Sequence, residues 1–119
     1  MIALGTTLRC NLPPRHLWVV ISDPARTGDP ILLVSLTSLT EDCVDDGCIL
    51  NAGDFTLLNH ATVVAYSRAQ IGTVAKLEGL IQQGAFSVVT TVSAATLNKI
   101  LAGAQRSREL SASQRQLVG

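Results

Sequence analysis

Arg15 and His16 stand directly before one apolar run, Leu17 to Ile21, and Thr37 and Ser38 stand directly after or at the end of another, Ile31 to Leu36. A guanidinium can bind two phosphate oxygens at once and does not lose its charge. An imidazole gains and loses protons near neutrality, and a hydroxyl both donates and accepts hydrogen bonds. Gathered at one place, such groups would hold a phosphodiester and move protons around it.

Two strands have to do the gathering. If the apolar runs pair as antiparallel neighbours across the loop Ser22 to Pro30, the start of one lies beside the end of the other, and Arg15, His16, Thr37 and Ser38 meet at one rim of a small sheet. Neighbouring side chains on a strand point to opposite faces. Only one of Arg15 and His16 is then expected to face the site, unless the turn at Pro14 distorts the strand. Two further side chains are candidate phosphate contacts. His60 follows Asn59 at the start of a later β-branched run, and Arg68 stands at the far end of that run.

The rest of the chain punctuates as mainly β with a C-terminal helix, an α+β arrangement. Thr6 to Cys10, His16 to Ser22, Ile31 to Leu36, Cys48 to Leu50 and Thr62 to Tyr66 read as strands, with Ile71 to Val74 as a last short one interrupted by Gly72. The unbroken hydrophobicity of Ile31 to Leu36 points to burial on both faces. Pro13-Pro14, Asp23-Pro24, Gly28-Asp29-Pro30 and Asn51-Ala52-Gly53-Asp54 mark turns. Lys76 to Gln83 reads as a short helix closed by Gly84, and Phe86 to Val92 as strand. Ser93 is a natural N-cap for a helix from Ala94 to Arg106 with Leu97, Ile100, Leu101 and Ala104 on one face. Residues 1–106 thus make one domain. From Ser107 to Gly119 the chain is polar without an apolar stripe and is expected to fray.

Composition narrows the chemistry. The 119 residues suffice for a single core, and with four aromatics among them that core must be built from Val, Ile, Leu and Ala. Nine basic and nine acidic residues cancel, so there is no global pull toward nucleic acid and any phosphate binding must be local. The longest apolar stretch is about five residues, against the roughly 20 of a membrane span. With no basic N-terminal region before a long apolar segment and an odd number of cysteines, Cys10, Cys43 and Cys48, a reduced cytoplasmic setting is expected. Two thiols without a second Cys or His pair at ligand spacing make only a weak case for a metal site, and no cofactor is implied. The run Glu41 to Asp46, with four acids in six residues, reads as a solvated loop.

The stretch Arg15-His16-Leu17-Trp18-Val19-Val20-Ile21-Ser22-Asp23, followed by Ile31 to Ser38 closing in Leu36-Thr37-Ser38, resembles the MazF/PemK family of toxin ribonucleases. The segment Asn59 to Leu77 is similar to that family's next strand and short helix. The resemblance spans roughly Arg15 to Arg106. It implies a small SH3-like β-barrel of the MazF/PemK/CcdB type. It also implies a metal-independent endoribonuclease acting on single-stranded RNA, a cognate antitoxin that neutralises it, and a homodimer. Arg15 falls on the family's catalytic arginine and Thr37 on its catalytic threonine. His16 stands where the family has proline, and the long first loop is reduced to Asn11-Leu12-Pro13-Pro14. Gyrase-poisoning CcdB-like relatives use a tryptophan near the chain terminus. Here the end is Gln116-Leu117-Val118-Gly119 and Trp18 lies in a core strand, which disfavours that mechanism.

In RNA the 2′-hydroxyl is the nucleophile, so the site must supply a base, an acid for the leaving 5′-oxygen, and a cation for the phosphorane charge. Arg15 suits the last role, His16 suits base or acid, and Thr37 would orient an oxygen. Ser38, His60 and Arg68 are the expected RNA contacts. The competing expectation is a catalytically inactive barrel that binds protein or RNA.

Overall fold

The computed structural model describes residues 2–40 and 47–119. Six antiparallel strands form one strongly curled sheet: β1 (Thr6–Cys10), β2 (Leu17–Val20), β3 (Pro30–Ser38), β4 (Ile49–Leu50), β5 (Thr62–Thr73) and β6 (Phe86–Thr91). Their spatial order is β4-β5-β3-β2-β1-β6. Among the described residues four α-helices accompany them: α1 (Pro24–Thr27), α2 (Val74–Gln82), α3 (Ala94–Arg106) and α4 (Ala112–Leu117). The architecture is small α+β with a half-barrel sheet. Among the described residues no helix is long and apolar enough to cross a membrane.

The central strand β3 shows why its sequence does not alternate. Ile31 through Leu36 are all buried. Ile31 and Leu33 pack with Leu8, Val20 and Leu77 beneath α2. Leu32, Val34 and Leu36 pack on the other face with Val19, Ile21, Val64, Tyr66 and Ile100 beneath α3. Covering both faces of an antiparallel sheet leaves no solvent-facing position, so five of these six residues are apolar and the remaining one, Ser35, is buried with them. Trp18 belongs to the α2 side, half-buried against that smaller cluster.

The helix boundaries follow from capping. Thr73 accepts a hydrogen bond from the Lys76 amide and starts α2, two residues earlier than the apolar pattern suggests. Gly84, at φ 82°, ends it in the left-handed region, with its amide donating to Ile81 and that of Ala85 to Leu80. Ser93 caps α3 through the Thr96 amide, as expected.

Two expectations need correction. Thr62 to Tyr66 and Ile71 to Val74 are not separate strands: β5 is continuous over twelve residues. Its partners jump from Leu33↔Gln70 to Ser35↔Ala65, so the four residues 66–69 of β5 lie against the single residue Val34 of β3. The extra residues are absorbed as an irregularity that bends the sheet. The polar segment after Ser107 is also structured. Ser111 and Gln114 form a capping box on α4, Leu110 and Val118 are buried, and Val118 bridges to Ser22. The Gly119 amide donates to Ile21, while the Arg26 guanidinium donates to the Val118 carbonyl at 2.9 Å. Two isolated apolar residues and backbone pairing dock this segment, which a search for a helical stripe does not detect.

Candidate functional site

The pairing Leu17↔Leu36 between β2 and β3 brings the residues before the one strand beside those after the other. A groove of about 200 Å³ opens there, lined by Arg15, His16, Thr37, Ser38 and His60 together with Leu17, Leu36, Leu57, Leu58 and Thr62. Five of the six expected site residues therefore share one concavity. Arg68 does not belong to it. It is exposed on β5, six positions beyond Thr62 and within the irregularity, and does not line the groove.

Arg15 and His16 both line the groove, contrary to the expectation that alternation would send one of them away. The reason is local: β2 begins at Leu17, so the two residues precede the strand. The Pro13-Pro14 peptide is cis, the His16 amide donates to the Pro14 carbonyl at 3.0 Å, and the His16 carbonyl accepts from Cys10. This turn is held from outside by Asn11, whose side-chain amide donates to the Gly84 carbonyl and to the Ser87 hydroxyl.

Alternation does separate the two hydroxyls of β3. Leu36 and Ser38 stand on the sheet face of Leu17 and Thr62, whereas Thr37, paired with Val63, stands by register on the other. Thr37 contributes to the groove from its edge, half-buried, while Ser38 is exposed.

The opposite wall comes from the segment between β4 and β5. A 3-10 turn at Ala52–Asp54 leads to Phe55, which is buried, and Leu58, which packs against the α3-side core. Asp54 receives the Asn51 amide and the Lys99 ammonium, each at 2.8 Å, and its carbonyl accepts from Thr96. The segment is thereby tied to α3. The Lys99 ammonium, then the Asn51 amide, hold the Asp54 carboxyl below the usual carboxylate range.

At the end of this wall the His60 ring is bonded at both nitrogens. Nε2 lies 2.8 Å from Ser38 Oγ, and Nδ1 is hydrogen-bonded to Asn59 Oδ1. The Thr62 hydroxyl donates to the His60 carbonyl at 3.2 Å. Asn59 does not stand out by residue type or strand periodicity and enters the site only as the neighbour of His60. An amide side chain beside a histidine at the mouth of a strand is the signal that would have found it.

Arg15 is a fixed cation and His16 and His60 are the chain's two histidines. Among the described residues lining the groove there is no carboxylate. Such a wall set can bind an anion and exchange protons with it. Among the described residues no cluster of three or more His, Cys, Asp or Glu is placed to hold a metal. Cys43 and the acidic run Glu41 to Asp46 lie outside the described residues. Burial pushes the Cys48 thiol up, leaving it a small neutral filler beside Tyr66.

No protein-family model matches the chain, and no curated protein matches its sequence.

Proposed function

We propose that the groove binds single-stranded RNA and cleaves it without a metal, in the manner of a MazF/PemK-like toxin whose curled sheet is of the SH3-like type. The observation that carries this reading is that both histidines of the chain and Arg15 line one groove free of described acids. Two imidazoles and a guanidinium are the acid, the base and the cation that attack by a 2′-hydroxyl requires. Ser38 and Thr37 orient oxygens of the bound strand. A cognate antitoxin that covers the groove and a homodimeric state complete the proposal. The apolar face of α3 is not the dimer surface, because Ile100 and Ala104 are used against the chain's own sheet.

Incubating the purified chain with a mixed pool of single-stranded RNA tests the reading. Cleavage is expected, with Arg15→Ala lowering it by about 10²–10³-fold, the usual loss for a group that stabilises developing charge. Thr37→Ala should lower it as well, and growth arrest on expression should follow cleavage in both variants. RNA retained but uncut would instead identify a binding module. Full toxicity in both variants would remove the assignment of this groove.

A further inference from the structure

We propose that His60 is the proton acceptor of the groove, taking the 2′-hydroxyl proton of a bound RNA, and that Asn59 is the positioning residue that fixes its tautomer. The proposal rests on the RNA-cleaving reading of the same groove and divides labour between its two histidines. An amide oxygen has lone pairs and no proton, so the bond between Asn59 Oδ1 and Nδ1 requires Nδ1 to carry the hydrogen. In the neutral ring Nε2 is then the acceptor, and its lone pair points at Ser38 Oγ, 2.8 Å away. A hydroxyl donor is thus already seated on Nε2 at the groove wall, in the relation that a substrate 2′-hydroxyl would adopt. The geometry is held through the backbone as well, by Thr62 on the His60 carbonyl and by the Asp54–Lys99 pair behind the loop.

His16 sits on the opposing wall with Arg15, and these are the titratable groups that face His60 from the turn before β2. From β3 it meets Thr37 and Ser38, from β5 Thr62, and from its own segment Leu57 and Leu58. In the reaction, Nε2 of His60 accepts the 2′-hydroxyl proton as the 2′-oxygen bonds to phosphorus. The bond from phosphorus to the 5′-oxygen breaks, and the imidazolium of His16 returns a proton to that oxygen. The products are a 2′,3′-cyclic phosphate and a free 5′-hydroxyl, with no oxidant, metal or covalent intermediate. Arg15 binds the non-bridging oxygens throughout.

The test follows cleavage of a mixed-sequence RNA by the full chain across pH, alongside ¹⁵N spectra of the histidine rings. His60→Gln is expected to lower kcat by about 10²–10⁴-fold. Asn59→Asp, which places a carboxylate where the amide was, should move the acidic limb of the kcat/KM profile upward by roughly one pH unit or more. In the wild type the spectra should show the hydrogen on Nδ1 of His60, a preference that Asn59→Ala removes. A residue that merely supports the loop would lower activity without moving that limb, so the profile also decides the matter if His60→Gln does not fold. Wild-type rates in His60→Gln, or a ring protonated at Nε2 instead, overturn the proposal and leave the RNA-cleaving reading standing. RNA left intact by the wild type overturns both.

Discussion

Gly103 shows what a single position inside α3 must satisfy. A Cβ there would lie 2.5 Å from the Tyr66 hydroxyl, 2.8 Å from Cys48 Cβ and 2.8 Å from the Gly47 carbonyl. The Tyr66 hydroxyl cannot retreat freely, because it donates to the Ile100 carbonyl at 2.6 Å. Gly103→Ala gains helix propensity yet should destabilise by about 1–3 kcal/mol through overpacking, measured by urea unfolding. A glycine inside a helical pattern is ordinarily a weakness, and only the approach of Tyr66 and Gly47 explains this one. At Asp54 the sign is set by a depressed carboxyl. Its ionised form is favoured by folding, so its contribution is present above the unfolded value of about 3.9 and is lost as pH falls through the lower folded value. Thermal melts should therefore fall as pH drops below about 4, and Lys99→Met should flatten that fall. By contrast the Ser93 cap was legible from its residue type and spacing, and Ser93→Ala should cost about 1 kcal/mol.

Among the elements, the C-terminal segment carries the clearest consequence. Leu110 is 3% exposed and joins the core beneath α3, so Leu110→Ala should cost about 2–5 kcal/mol, read from the denaturation midpoint. Had residues 107–119 been a loose tail, the substitution would be silent. The strands that build the groove wall, β2 and β3, were legible because each is a compact apolar run bounded by prolines or polar residues. The continuity of β5 was not. Ser67, Arg68 and Gln70 read as a break, and the chain stays extended through them because β3 runs alongside and takes up the mismatch in register.

Across the whole molecule, the cancelling charges make a quantitative statement about RNA binding. Among the described residues the groove presents one permanent cation, so few phosphates can be neutralised there. The slope of log Kobs against log salt for single-stranded RNA should be shallow, of magnitude about 1, at roughly 0.7 per phosphate contacted. A slope several times steeper would mean that cations outside the groove, Arg68 among them, carry the strand.

Residue type and local spacing by themselves determined the capped helix Ala94–Arg106, the doubly covered strand β3 and the meeting of Arg15, His16, Thr37 and Ser38 at one rim. Those features depend on patterns within a few residues and on the one antiparallel pairing that a short loop favours. Tertiary structure alone decided that both Arg15 and His16 line the groove, that Asn59 and Ser38 hold opposite nitrogens of His60, and that Arg68 stands apart. Each of those outcomes turns on where a strand begins or how a register shifts, and such choices are settled by contacts between segments far apart in the chain.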